Sequence, residues 1–213
     1  MSLKFSIIPV TSYQQNCTLL ICEKTNKAAI VDPGGDIDII LNAIKEEKAI
    51  VESILLTHGH LDHVGGVTEL AQKLSVPVEG PHIEDKFWLD ALPSQSKTFG
   101  FPHCDSFIPN HWLNDGDTVT VGEQTLKVIH CPGHTPGHIV FFHEQSKIAL
   151  VGDVLFNGSV GRTDFPKGNF DTLIASIKNN LWPLGKDVRF IPGHGPTSTF
   201  AVEMQSNPYV SID

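Results

Sequence analysis

The chain has 213 residues, 40% of them hydrophobic and 18% charged, with a mean hydropathy of -0.03; these values exclude the disordered and fibrous classes. A formal charge of -9 and a pI of about 5.6 repel phosphate backbones and anionic lipid, so neither nucleic acid nor a membrane is expected as a partner. No stretch approaches the roughly 20 consecutive apolar residues of a membrane helix, and MSLKFSIIPVTSYQQN lacks the basic and long apolar regions of a secretory leader, so the expected location is cytoplasmic.

In chain order, FSIIPV (5 to 10), CTLLIC (17 to 22) and AAIVD (28 to 32) are predicted strands, the last two joined as a hairpin. Pro33-Gly34-Gly35 stops the sheet. Ile37, Ile40, Leu41 and Ile44 then form one apolar stripe of a helix over 36 to 48, with Asp36 as its expected N-cap. VESILLT (51 to 57) is a buried strand, and Val67, Leu70, Ala71 and Leu74 mark a second helix. A strand-like run (76 to 79) and a short helix near 83 to 91 lead into a Pro-containing stretch, 92 to 116, that has no assignable pattern. Strands resume at 118 to 122, 125 to 130, 138 to 143 and 147 to 153. Phe170, Leu173, Ile174, Ile177 and Leu181 give another helical stripe, and VRFIP (188 to 192) a last strand. Alternating strand and helix blocks with no linker predict one α/β domain over 1 to 213, layered with helices on its outer faces.

The four cysteines, Cys17, Cys22, Cys104 and Cys131, form no CxxC pair and are expected as buried free thiols. Histidine is the unusual residue, 11 copies against 15 lysines and arginines. Four polar strings follow strand-like runs directly: THGHLDH (57 to 63), CPGHTPGH (131 to 138), Gly152-Asp153 and PGHG (192 to 195). Strand ends in a layered sheet converge on one edge, where such folds place ligands. His58, His60, Asp62, His63, His134, Asp153 and His194 are therefore expected to meet.

Imidazole and carboxylate are ligands of zinc, iron and manganese, and five histidines with two aspartates exceed what one tetrahedral ion with an open position needs. Two divalent ions are expected, zinc first, with iron or manganese as alternatives. Side chains two apart on an extended turn grip one ion, while Asp62 and His63 on an incipient helix point elsewhere. This assigns His58, His60 and His134 to one ion and Asp62, His63 and His194 to the other, with Asp153 bridging. A hydroxide between ions about 3.5 to 4 Å apart would be the nucleophile, and Asp62 is the candidate acceptor of its proton. Asp32, at a strand end, either orients a ligand histidine or caps its turn. The histidines at 82, 103, 111, 130, 138 and 143 are expected to be structural or on the surface.

THGHLDH, CPGHTPGH, Gly152-Asp153 and PGHG, in that order, resemble the metallo-β-lactamase superfamily, and within it the short bacterial type II form of the glyoxalase II branch, which lacks a helical C-terminal domain. The resemblance covers residues 5 to about 208. It implies an αββα sandwich with a two-metal site between the sheets, and a thioester hydrolase acting on S-lactoylglutathione in methylglyoxal detoxification. VDPGG (31 to 35) matches the family's first motif and carries Asp32 over as the carboxylate that orients a ligand. The family's Gly-Lys pair is Gly161-Arg162 here, making Arg162 a candidate for a substrate carboxylate. The glutathione-binding residues of the missing helical domain do not carry over. Asp153 stands where true lactamases usually have Cys or Ser. GRTDF (161 to 165) also looks like the persulfide dioxygenases, which hold a single iron at positions matching His58, His134 and Asp153. That activity is the competing expectation, and a non-catalytic metal-binding module a third.

Overall fold

Apolar side chains on alternate faces of a strand must be covered on both sides, and this chain covers them with four layers. The computed structural model describes residues 3–212; Met1, Ser2 and Asp213, at the ends of the expected domain, lie outside the described residues. The first sheet has the order β1 (Leu3–Val10), β2 (Gln15–Cys22), β3 (Lys27–Val31), β4 (Ile50–Leu55), β5 (Val78–Glu79). Its first three strands are antiparallel, while β3, β4 and β5 run parallel. Parallel pairing requires crossovers, and these are α1 (Ile37–Glu47) and the segment carrying α2 (Leu61–Val64) and α3 (Val67–Leu74).

A turn of 3-10 helix (Ile83–Asp85), α4 (Lys86–Asp90) and α5 (Leu92–Phe99) then lead to the second sheet. This comprises β6 (Thr118–Val121), β7 (Gln124–His130), β8 (Ile139–His143) and β9 (Ile148–Gly152), and, beyond the small hairpin β10 (Leu155–Phe156) and β11 (Ser159–Val160), β12 (Arg189–Pro192) and β13 (Ser198–Thr199). Strand β12 lies parallel to β9 and is reached through α6 (Phe170–Ser176), which widens into a π turn over Ile177–Leu181. The last helix is α7 (Phe200–Ser206). No described helix is long and apolar enough to cross a membrane.

Period-2 alternation divides the strand residues between three apolar clusters. Leu20, Ala29, Val31 and Leu55 of the first sheet face Val121, Val128, Phe141 and Leu150 of the second. Leu19, Ile21, Ile30 and Ile54 turn the other way, packing with Ile40, Ile44 and Leu70 of α1 and α3. Val140, Phe142, Val151 and Phe190 pack with Leu173, Ile177, Phe200 and Met204. The arrangement is an αββα sandwich of one domain.

Three local features differ from the sequence expectations. Asp36 stands at the start of α1 in a left-handed conformation (φ 49°) and makes no capping bond; its carboxylate accepts the Thr11 backbone N–H at 2.6 Å instead. The unassigned stretch 92 to 116 contains α5, entered through Pro93. Helix α7 and the two-residue strands β10, β11 and β13 had no pattern to announce them.

Candidate metal centre

Strands β3 and β4 point the same way, and so do β7, β9 and β12, because β7 and β9 both run antiparallel to β8. Their C-terminal ends therefore lie at one edge of the sandwich. Residues 57–63 leave β4 there, residues 131–138 leave β7, Asp153 follows β9 and His194 follows β12. The seven residues singled out in the sequence meet at this edge. His58, His60 and His134 form one cluster with potential ligand atoms within 4.8 Å of one another, and Asp62, His63 and His194 form another. Asp153 lies between them, Oδ1 at 3.4 Å from His63 Nε2 and Oδ2 at 3.6 Å from His134 Nε2. The same Oδ2 is 3.7 Å from His194 Nε2.

Hydrogen bonds at the rear nitrogen decide which face each imidazole presents. His58 Nδ1 is 3.0 Å from Thr57 Oγ1, His63 Nδ1 is 3.0 Å from Asp32 Oδ2, His134 Nδ1 is 2.7 Å from the Arg162 carbonyl, and His194 Nδ1 is 3.2 Å from the Tyr13 carbonyl. Each of these rings donates from Nδ1 and turns Nε2 inward. His60 is reversed: its Nδ1 lies 2.9 Å from His134 Nε2. His58 Nε2, His63 Nε2 and Asp153 Oδ1 are buried without a hydrogen-bond partner among the described residues. Buried polar atoms ordinarily have partners, so inward-facing orphans on a His/Asp donor set fit a bound divalent cation.

Asp32 is buried with a left-handed backbone (φ 52°), an unfavourable state for a non-glycine residue. The conformation is held because its carboxylate accepts the Thr57 N–H at 2.8 Å and the Thr57 hydroxyl at 2.6 Å besides meeting His63.

Charge divides the centre into two unlike halves. Burial, reinforced by the neighbouring imidazoles, holds His58 far below the usual histidine range and His60 down to about 3; burial likewise lowers His134. Three neutral rings result, His58 with its inward nitrogen unpartnered among the described residues and His60 and His134 with theirs against each other. In the other half, burial lowers His63 but the carboxylates of Asp153 and Asp62 outweigh it and hold this histidine well above its ordinary value. His194 is raised despite burial by its bond from Nε2 to Asp62 Oδ2, 3.2 Å away, and by Asp153. Burial opposes the charge on Asp153, yet His63 keeps that carboxylate ionised far below its usual range.

A cavity of about 620 Å³ opens on the centre, lined by His60, Asp62, His134, Asp153 and His194 and by an aromatic wall that includes Tyr13, Trp88, Phe101, Phe156 and Phe165. The Trp88 ring meets His60 edge-on with centroids 4.5 Å apart. Arg162 also lines this cavity, but its exposed guanidinium is bonded twice to Asp164, at 2.7 and 2.6 Å, and lies 4.1 Å over the Phe165 ring. A second cavity of about 650 Å³, bordered by Asp36, Asp38, Glu69 and Asp105, contains none of the seven residues.

His138, expected to be structural or on the surface, is structural, and it bears directly on the centre. This ring is fully buried, stacks on His58 with centroids 4.7 Å apart, and accepts the backbone N–H of Asp153 on Nε2 at 3.0 Å. Its only signal was a place in the GHTPGH string, which it shared with His134. The four cysteines are free and buried.

Comparison with known proteins agrees with this architecture. A family model described as the metallo-beta-lactamase superfamily matches residues 10–194. The hydroxyacylglutathione hydrolase GloC of Haemophilus influenzae is 44% identical over 210 residues, covering 98% of this chain and 99% of that protein. Among solved structures, the BLEG-1 B3 metallo-beta-lactamase superposes with a TM-score of 0.90 at 36% identity, covering 98% of this chain and all of that one. TTHA1623 in a di-iron-bound form superposes with a TM-score of 0.87 at 32% identity, covering 96% and 100%.

Proposed function

The chain belongs to the metallo-beta-lactamase superfamily, and from that premise we propose that it is a dinuclear metal hydrolase cleaving glutathione thioesters, S-lactoylglutathione first among them. The products are glutathione and the hydroxy acid. The observation that carries this reading is a three-histidine cluster and a His/Asp cluster flanking the Asp153 carboxylate. The whole-chain likeness to a hydroxyacylglutathione hydrolase supports the choice of substrate. A cytoplasmic location and a part in methylglyoxal detoxification belong to the same reading.

In this reading His58, His60 and His134 hold one ion, Asp62, His63 and His194 hold the other, and Asp153 serves both. Zinc is the first choice, and iron or manganese suits the same donors. When bound, the ions supply a hydroxide nucleophile at neutral pH and polarise the thioester carbonyl. The protein's own part is preorganisation. Thr57, Asp32 and the carbonyls of Arg162 and Tyr13 fix four imidazoles by their rear nitrogens, so little reorientation remains when substrate arrives. Asp62 lines the cavity as an ionised carboxylate and would be the acceptor of the proton released during attack. The aromatic wall excludes water around the carbonyl. The departing thiolate, with a pKa of about 8.5, leaves without a general acid. Arg162 meets a carboxylate of the glutathione moiety.

The test is metal analysis of protein purified without chelator, alongside release of free thiol from S-lactoylglutathione. Two ions per chain and thiol release abolished by chelation are expected. One iron per chain, with oxygen uptake on glutathione persulfide and no thioester turnover, would replace this reading with the persulfide dioxygenase.

A further inference from the structure

The two loops that bring His58, His60 and His134 together leave strands of different sheets. Besides the Ile139 N–H, which donates to the Thr57 carbonyl at 2.8 Å where the two loops begin and end, and the contact of His60 with His134, one buried side chain bonds to both loops at once. Asp85, the last residue of the 3-10 turn before α4, is fully buried. Its Oδ2 accepts the backbone N–H of Gly59 at 2.8 Å and the hydroxyl of Thr135 at 2.8 Å. Its Oδ1 accepts the backbone N–H of Gly137 at 2.6 Å. Gly59 lies between His58 and His60, Thr135 follows His134, and Gly137 precedes His138.

The turn that carries Asp85 is itself fastened to the second loop, since the His82 N–H donates to the Gly137 carbonyl at 3.1 Å. The contact leaves no room for slack. A Cβ at Gly137 would lie 2.5 Å from Asp85 N and 2.7 Å from Asp85 Oδ1. One turn further on, Trp88 sets its ring edge against His60. A carboxylate is well suited to the task, because it accepts from several donors at once and is acceptor-only. It has no cationic partner within ion-pair distance among the described residues, so it is retained where ionisation costs most and three donors alone answer it.

We propose that Asp85 is a positioning residue: by tying the 57–63 loop to the 131–138 loop it sets the geometry and affinity of the ion pocket formed by His58, His60 and His134. It touches neither substrate nor ion and acts through the two loops. The inference rests on the reading that these histidines hold a metal, and it adds a cross-sheet determinant that lies outside the seven residues.

Cobalt(II) titration of the metal-free protein, read by its visible ligand-field bands and by chelator competition, tests the role without substrate. Asp85→Asn retains size but offers one acceptor oxygen, so at least one backbone N–H is turned against an amide NH2. Loss of such an orienting partner typically weakens metal affinity by about ten- to a hundredfold. That loss is expected at one of the two cobalt sites only, with a changed band pattern and with melting of the metal-free protein close to the parent's. Thr135→Val removes a single donor and should give a smaller loss at the same site, which keeps the question answerable where Asp85→Asn fails to fold. Parent-like affinity and bands in the variants that fold would overturn the role of Asp85 alone. A parent that takes up fewer than two cobalt ions would overturn the metal reading beneath it.

Discussion

Gly193 leaves the Asp153 carboxylate no space to share: a methyl group built on its α-carbon would lie 2.1 Å from Asp153 Oδ1 and 2.6 Å from His63 Cε1. The glycine backbone is fixed from both sides, its N–H donating to Gly152 and its carbonyl accepting from Asn16, each at 2.7 Å. The carboxylate must therefore move if this position gains a side chain. Gly193→Ala is expected to fold and to lose roughly a hundredfold in kcat, the order of cost of misplacing a reacting group by about 1 Å. Thiol-release kinetics with parallel metal analysis checks it; undiminished kcat would show that Asp153 need not stand where it does.

Asp153 and His194 should respond differently to deletion. Asp153 lies near residues of both clusters, whereas His194 belongs to one and is more exposed. Asp153→Ala should lose both ions or nearly all activity. His194→Ala should keep one ion at the buried His58, His60 and His134 cluster and lose most turnover. A His194→Ala protein with one ion and full thioesterase activity would refute the dinuclear scheme.

The ion pair between Arg162 and Asp164 competes with any carboxylate that Arg162 binds. Arg162→Ala should raise KM for S-lactoylglutathione about tenfold or more, as a lost charge-assisted contact implies. Asp164→Ala should lower it, because the guanidinium is released. Neutral thioesters of small thiols should be indifferent to both. Equal losses on charged and neutral substrates would mean that the arginine only holds its loop.

If His63 and His194 hold an ion as proposed, protons and metal compete at them. Both are raised in the metal-free protein, His63 most, since Asp153 and Asp62 outweigh its burial. Stability contributed by a raised histidine is complete below its unfolded pKa of about 6.5 and is lost as pH rises through the folded value. Neutral, ion-bound histidines have no such dependence. Melting temperature of chelated protein should fall as pH rises above about 6.5, and that of loaded protein should not follow it. Scanning calorimetry at several pH values decides; parallel curves would remove the imidazolium of His63.

The layered sandwich was legible because short apolar runs, some alternating and some continuous, take turns with helical stripes, and the centre because each polar string begins where a strand stops. His58 and His60 could be paired from their spacing along an extended turn, and Asp62 and His63 from the onset of a helix; His134 and His194, on other strings, join these pairs in the structure. Helix α5 escaped notice because LPSQSKTF presents no sustained apolar stripe. Asp36 has the residue type of an N-cap, yet its left-handed backbone sends the carboxylate to Thr11. Asp85 and His138 left no periodic trace, since each works through backbone N–H groups far away in sequence, and a backbone group carries no signature in the residue that contacts it.

Of the seven His and Asp residues of the centre, five follow strand ends and Asp62 and His63 sit on α2, while the aromatic wall of the cavity comes from elsewhere: Trp88 from α4, Phe101 from the loop after α5, Phe156 from β10 and Phe165 from the loop after β11. In the proposed reading, reactivity and selectivity are thus written on separate parts of the chain. Loops and outlying helices accept change more readily than strand ends, so descendants of this scaffold are free to exchange one acyl group for another while the reacting centre is inherited intact. Trp88 is the exception, because its ring also bears on His60; at that one position a new preference comes with a disturbed ligand.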